Sequence, residues 1–380
     1  MTRGADRSAV VDGPAAALPK PRPHVLSLAP FALAERTVAP HLRAIHLAQN
    51  ENATPPGKAA LAVMQAALAA VNRYPEADAA TLREAIAAAE NLPAGRIVCG
   101  AGSMELLALL AQGYLGPDDE VVISDYGYVF FRTVAELVGA RVVLAPERNF
   151  RTDIDAMLAR VGPRTRMLFL ANPNNPTGSL LSRTELHSLR ASLRSDIMLV
   201  IDAAYAEYVT EPDYEAGAAL VDADANTVMM RTFSKVHGLA GLRVGWGYFP
   251  PAIADVVNRL RHPNNVGSIA IAAAAAAIAD RAHVAAVRAA NADLRTWFSR
   301  ELRQIGLAPC ESHGNFVLLP FTSGGDAAAA KDFLKSRGIL IRPMTAYGLD
   351  RCLRITLGTR DELVAVLDAL RLGAAGTESS

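Results

Sequence analysis

From residue 96 to 231 the chain alternates short, unbroken apolar runs with longer stretches in which apolar positions recur at helical spacing. The strand-like segments are Arg96–Gly100, Glu120–Ser124, Arg141–Leu144, Arg166–Leu170, Ile197–Ile201 and Thr227–Arg231, of which Arg166–Leu170 and Ile197–Ile201 are continuous apolar runs. Runs of four to eight residues without polar alternation suit strands buried on both faces of a parallel sheet. Between them, a segment opening at Gly102 and the span Tyr128–Val138 read as helices. This β/α alternation predicts an α/β fold, an open, mainly parallel sheet with helices on both faces. Upstream, Lys58–Val71 and Thr81–Ala89 read as helices, the second with Thr81 as N-cap and Glu84 three residues on. One long helix is expected from about residue 269. Beyond residue 292 the pattern turns mixed: strands at Asn315–Leu319 and Leu353–Leu357, helices at 326–337 and 361–371. That shift predicts a smaller α+β domain. The expected organisation is a tail and arm over 1–57, partly packing with the small domain, a large domain over 58–291 and a small one over 292–380. Residues 1–23 read as a flexible tail and 24–57 as an arm with little regular structure.

Composition narrows the function classes. The 380 residues carry 38 basic and 38 acidic side chains, and no basic tract points to nucleic acid. The longest apolar run, Ile269–Ala279, is mostly alanine and too short to span a bilayer. No secretory pattern opens the chain. Three scattered cysteines make neither a disulfide framework nor a zinc site, and no metal site is expected. A cytoplasmic location follows as the simple reading.

The candidate chemistry lies in Arg231-Thr232-Phe233-Ser234-Lys235-Val236-His237-Gly238-Leu239-Ala240-Gly241-Leu242-Arg243. A lysine amine can bond covalently to an aldehyde, and Thr232, Ser234 and Arg243 can hold a phosphate through hydroxyl and charge-assisted bonds. The bland alternative is a basic surface loop. Asp202 ends the apolar run Ile197–Ile201, where ligand sites gather in open parallel sheets, although a helix N-cap aspartate is equally ordinary by itself. Tyr205 follows one helical turn later. Asn175 lies in Asn172-Pro173-Asn174-Asn175-Pro176-Thr177-Gly178, which is also a good turn sequence. In Gly100-Ala101-Gly102-Ser103-Met104 the glycines let main-chain N–H groups approach an anion at a helix N-terminus.

Taken in order, N-P-T-G, D-x-x-Y, S-K-x-x-x-L-x-G-L-R and Leu353-Arg354-Ile355-Thr356 resemble the fold type I aminotransferases that use pyridoxal 5′-phosphate. Asn50-Glu51-Asn52, Arg73-Tyr74-Pro75-Glu76 and Cys352–Arg360 bring the resemblance closest to the histidinol-phosphate aminotransferase branch. It covers nearly the whole chain from about residue 40. The resemblance implies a seven-stranded large sheet, a homodimer, and a small-molecule amino donor with a 2-oxo acid as substrates. It implies Lys235 as the covalent anchor and general base, Asp202 on the ring nitrogen, and Tyr205 and Asn175 on the 3′-oxygen. It further implies Gly102, Ser103, Met104, Thr232, Ser234 and Arg243 around the phosphate, with Tyr126 stacked on the ring and Tyr128 close enough to compete. Arg354 would hold the substrate α-carboxylate and Arg342 its distal phosphate or side-chain carboxylate, with Asn52, Thr54 and Tyr74 at the rim. The expected reaction is ping-pong transfer between L-histidinol phosphate and 2-oxoglutarate. An aromatic or specialised-pathway aminotransferase, a phospho-amino-acid decarboxylase and a non-catalytic binding protein stand as alternatives. The chain departs from the branch where Asp202 is followed by Ala203, and at Thr54 and Asn264. The last two were expected to make the substrate pocket more polar.

Overall fold

The computed structural model describes residues 19–26, 28 and 35–377. Most of the expected tail therefore lies outside the described residues. The strands, in chain order, are β1 (Ile45–Leu47), β2 (Ile97–Gly100), β3 (Glu120–Ser124), β4 (Arg141–Ala145), β5 (Glu147–Arg148), β6 (Arg151–Thr152) and β7 (Thr165–Ala171). They continue as β8 (Met198–Asp202), β9 (Thr227–Thr232), β10 (Gly245–Tyr248), β11 (Phe316–Pro320), β12 (Ile339–Met344) and β13 (Leu349–Thr356).

Seven strands form the large sheet in the order β2-β10-β9-β8-β7-β3-β4. All neighbours are parallel except β10, which runs antiparallel to both β2 and β9. Alternate residues pack on opposite faces. Met167, Phe169, Met198 and Val200 enter one apolar core with the helices Ser103–Tyr114 and Val129–Leu137. Leu168, Leu170, Leu199 and Ile201 enter another with the helix Arg183–Ser192. Unbroken apolar runs are what two-sided burial demands.

A second sheet has the order β1-β12-β13-β11. Its core joins Val317, Leu353 and Ile355 to Leu47 of the arm and to Phe298 and Leu302. The arm is thus partly ordered: residues 23–26 form a helical turn, and β1 pairs in parallel with β12.

Two expectations fail for local reasons. Thr81 is not an N-cap, because the helix starts at Ala80 behind a left-handed Ala79, and the Glu76 carboxylate accepts from both the main-chain N–H and the hydroxyl of Thr81. The single helix from residue 269 is two helices, Ser268–Ala279 and Arg281–Gln304, bent by 75°. Asp280 breaks them apart by accepting the His283 N–H at 3.0 Å, which makes it the N-cap of the second. That second helix runs without interruption through the expected boundary at residue 292. Among the described residues no single helix is long and apolar enough to cross a membrane.

Candidate active site

The topology brings the candidate residues to one edge of the large sheet. Asp202 ends β8, Asn172–Gly178 follows β7, and the lysine loop follows β9, all at carboxyl ends of parallel strands. The antiparallel β10 begins at Gly245, in register with both Gly100 of β2 and Thr232 of β9. Its first residue therefore sits between the helix start at Ser103 and the lysine loop. A Cβ at Gly245 would lie 2.4 Å from the Ser103 main-chain nitrogen and 2.8 Å from the Gly102 carbonyl carbon. Only glycine permits that approach.

The same crossing builds an anion cradle. The helix Ser103–Tyr114 starts behind Gly102, which has φ 82° and no side chain to cap the free N–H groups. A Cβ at Gly102 would lie 2.7 Å from Arg243 Nη2, so that guanidinium stands at the helix N-terminus. Arg243, itself at φ 52°, donates to Ser234 Oγ at 3.4 Å and to the Ala240 carbonyl at 3.0 Å. The Thr232 hydroxyl accepts the Ser234 N–H at 3.1 Å. Main-chain donors, a helix dipole and a cation converge, an arrangement worth about 1 kcal/mol per favourable contact to a bound anion.

Lys235 lies beside this cradle. Its amine donates to the main-chain carbonyls of Asn50 at 3.0 Å and Gln49 at 3.4 Å and stands 5.6 Å from the centre of the Tyr205 ring. Loss of water, aided by the nearby Arg354 charge, lowers its pKa to about 7. Asp202 is buried and accepts the Ala204 N–H at 3.1 Å, and no cation pairs with it among the described residues. Burial raises its pKa to about 6. Arg354 is buried as well. It donates to Asn175 Oδ1 and, at 2.9 Å, to the Ala48 carbonyl, while its Nε has no partner. Arg342 stands opposite Arg354 in the β12–β13 register.

Buried charges without counter-ions are costly and call for a ligand that supplies them. A carboxylate awaiting a proton-bearing group, a guanidinium awaiting an anion, a near-neutral amine and a phosphate-sized cradle fit the aldehyde cofactor that the sequence resemblance implies.

The remaining expectations divide. Tyr205 is in place, its phenol oxygen accepting from Asn50 Nδ2 at 2.9 Å. Met104 lies in the first turn of the cradle helix. The Tyr126 ring packs on Phe150 at 6.0 Å, and its electrostatic neighbours are Asp125, Glu147, Cys352 and Arg351. The Tyr128 phenol lies in the field of Tyr347, Asp202, Tyr205 and Arg354, so both rings stay candidates for the stacking position. One residue along the Tyr126-Gly127-Tyr128 turn separates the two positions. Asn52 spends its amide on the carbonyls of Lys235 and Val236, at 3.2 and 3.0 Å, and so braces the lysine loop rather than facing substrate. Thr54 is exposed, and Tyr74 is 93% exposed. Asn264, at φ 61°, donates to the Pro75 carbonyl at 2.6 Å, so its amide holds the turn that carries Tyr74. Asn50 was missed. Its only sequence signal was its place in Asn50-Glu51-Asn52, which gives no reason to prefer it to Asn52.

A family model described as aminotransferase class I and II matches residues 43–370. The histidinol-phosphate aminotransferase of Paramagnetospirillum magneticum is 46% identical over 355 residues, covering 93% of this chain and 98% of that protein. Its counterpart in Rhodospirillum rubrum is 47% identical over 363 residues, 95% and 98% of the two chains. The crystal structure of histidinol-phosphate aminotransferase from Sinorhizobium meliloti in complex with pyridoxal-5′-phosphate is similar with a TM-score of 0.87 at 29% identity, over 95% of this chain and 99% of that one.

Gly245→Ala should drive the Ser103 N–H groups out of the cradle, at a cost of ~1–3 kcal/mol in stability. Titration of the cofactor-free chain with pyridoxal phosphate should show affinity reduced by about tenfold or more, the equivalent of one charge-assisted contact; unchanged affinity would place the anion elsewhere.

Proposed function

The chain belongs to the class I and II aminotransferase family, and we propose that it transfers the amino group of L-histidinol phosphate to 2-oxoglutarate through pyridoxal 5′-phosphate in a ping-pong cycle. The observation that carries the chemistry is the meeting of a near-neutral Lys235 amine, an unpaired buried Asp202 and the Gly102–Ser103–Arg243 cradle. The substrate rests on near full-length identity to enzymes of that name.

When bound, the cofactor supplies an aldehyde for amine exchange and an electron-accepting ring. Lys235 holds the aldehyde carbon and, once freed by the incoming amine, takes and returns a proton at the substrate α-carbon. Asp202 holds the proton of the ring nitrogen. Tyr205 and Asn175 would hold the 3′-oxygen, and Ser103, Met104, Thr232, Ser234 and Arg243 would hold the phosphate. Tyr126 or Tyr128 would stack on the ring. Arg354, with its unpaired Nε, takes the anionic end of the substrate, and Arg342 beside it adds a second positive charge. Two adjacent arginines suit a phosphate monoester and the dicarboxylate glutamate alike.

We read the enzyme as a cytoplasmic homodimer. Supporting this, Leu68, Val71 and Tyr74 expose 58%, 59% and 93% of their surface along one stretch. A partner would cover that apolar surface and receive Tyr74 at the rim of its own site.

Four measurements test these readings. Addition of L-histidinol phosphate or glutamate to the loaded enzyme should convert the cofactor's visible absorbance to that of its amine form, with slow response to phenylalanine and tyrosine. The Lys235→Ala chain should bind cofactor yet turn over nothing. A response to glutamate and aromatics without histidinol phosphate would move the substrate to another pathway. Only the neutral amine attacks an aldehyde. With an amine pKa of about 7 rather than 10.5, cofactor capture by the empty chain should fall about tenfold per pH unit below 7 and level off above it. A rate still climbing towards pH 10 in stopped-flow would refute the lowered value. Sedimentation should return twice the 40.2 kDa chain mass; a monomer with full activity would rule out the shared site.

A further inference from the structure

We propose that Asn50 is a positioning residue that fixes the direction of the Tyr205 hydroxyl, obliging the phenol to donate its proton to the cofactor. This inference rests on the function proposed above. Asn50 is 1% exposed and sits at φ 53°, in the left-handed region that asparagine tolerates better than most side chains. It lies where the arm passes between β13 and the lysine loop, and all its polar groups are engaged. Its main-chain N–H donates to Thr356 Oγ1 at 2.9 Å. That leaves the Thr356 proton to donate to Asn50 Oδ1, at 3.2 Å. With Oδ1 occupied, the amide must turn its Nδ2 to the Tyr205 oxygen, 2.9 Å away. The Asn50 carbonyl meanwhile accepts from Lys235 Nζ at 3.0 Å and from Asn315 Nδ2 at 3.1 Å.

The proton count gives the consequence. A phenol has one proton to donate and a lone pair with which to accept. Since Asn50 donates to that oxygen, the Tyr205 proton must point elsewhere. The titratable and charged groups facing Tyr205 are Asp202 from β8, Lys235 over its ring, Tyr128, Tyr208, and Tyr347 and Arg354 from the small sheet. None of them forms a hydrogen bond with its oxygen among the described residues; only Asn50 does. The proton is therefore available to an oxygen of the bound ring, whose anionic form it stabilises. Without Asn50 the phenol could rotate and point its proton at the main chain or at water, and that stabilisation would weaken.

The test is the pH midpoint of the visible absorbance of the loaded enzyme, which reads the charge state of bound cofactor rather than turnover. Asn50→Gly removes the amide while keeping a residue at ease at φ 53°. It should raise the midpoint by about one pH unit, the size of one hydrogen bond. Tyr205→Phe should raise it as well, and Asn50→Gly should add nothing in the Tyr205→Phe background. Asn50→Ala, which also lacks the amide and adds no charge, serves if the glycine variant fails to fold, since Ala79 already adopts φ 51° in this chain; it too should raise the midpoint, and only while Tyr205 is present. A midpoint unchanged from wild type, or a shift that persists without Tyr205, overturns the inference while leaving the aminotransferase reading intact. A wild-type chain that shows no cofactor absorbance at all overturns both.

Discussion

The site depends on charges buried without counter-ions. Lys235, Asp202 and Arg354 lie within electrostatic reach of one another, yet the amine donates to carbonyls, the carboxylate accepts from an amide, and the guanidinium bonds an asparagine and a carbonyl. Direct Lys235–Asp202 pairing would relieve much of the cost and leave nothing to hold a ligand. Withholding that pairing keeps the amine near neutrality and the carboxylate easily protonated. Elsewhere buried charge is neutralised in the ordinary way. Arg231, four residues before the lysine, bonds Glu207 at 2.8 Å, approaches Glu90 at 3.5 Å and lies over Trp246. The fold thus satisfies the ion pair beneath the lysine loop and leaves unsatisfied the groups above it.

A single strand direction makes this geometry possible. Because β10 runs against its neighbours, its first residue lies beside the last residues of β2 and β9. A parallel strand there would put its start at the far edge of the sheet. The reversal delivers Arg243 and Gly245 to the cradle immediately after the lysine loop, within ten residues of Lys235. Sequence spacing that looks like a motif is, in space, the length of one tight return.

Most of this was legible where local chemistry and burial agree. Strands β2, β3, β7, β8 and β9 are rich in apolar residues because both their faces are covered, whereas β4 at the sheet edge is only partly buried. Lys235, Asp202, Tyr205, Asn175 and Arg354 each have an ordinary alternative taken singly, and stand out only through the family resemblance that their motifs carry in that order. Strand β10 escaped because Gly-Trp-Gly-Tyr carries two glycines and borrows its stability from partners on both sides. The helix break at Asp280 escaped because apolar periodicity on both sides hides a single capping carboxylate. Tyr126 and Tyr128 are inseparable by spacing, since only Gly127 stands between them. Asn50 was illegible for a deeper reason: its partners, Thr356, Tyr205, Lys235 and Asn315, lie 155 to 306 residues away.

The buried charges also act on one another in the order the chemistry needs. After burial, the largest influence holding the Lys235 amine near neutrality is the positive charge of Arg354. Burial and that charge therefore make the neutral amine, the form that reacts with an aldehyde, far more available than in an ordinary lysine. On the substrate role proposed for Arg354, an anion seated there would cancel that charge and raise the proton affinity of Lys235. The lysine would then be a stronger base while the substrate whose proton it must take is in place. Two demands on one amine, nucleophile first and base second, are met by a guanidinium whose partner arrives only with the substrate.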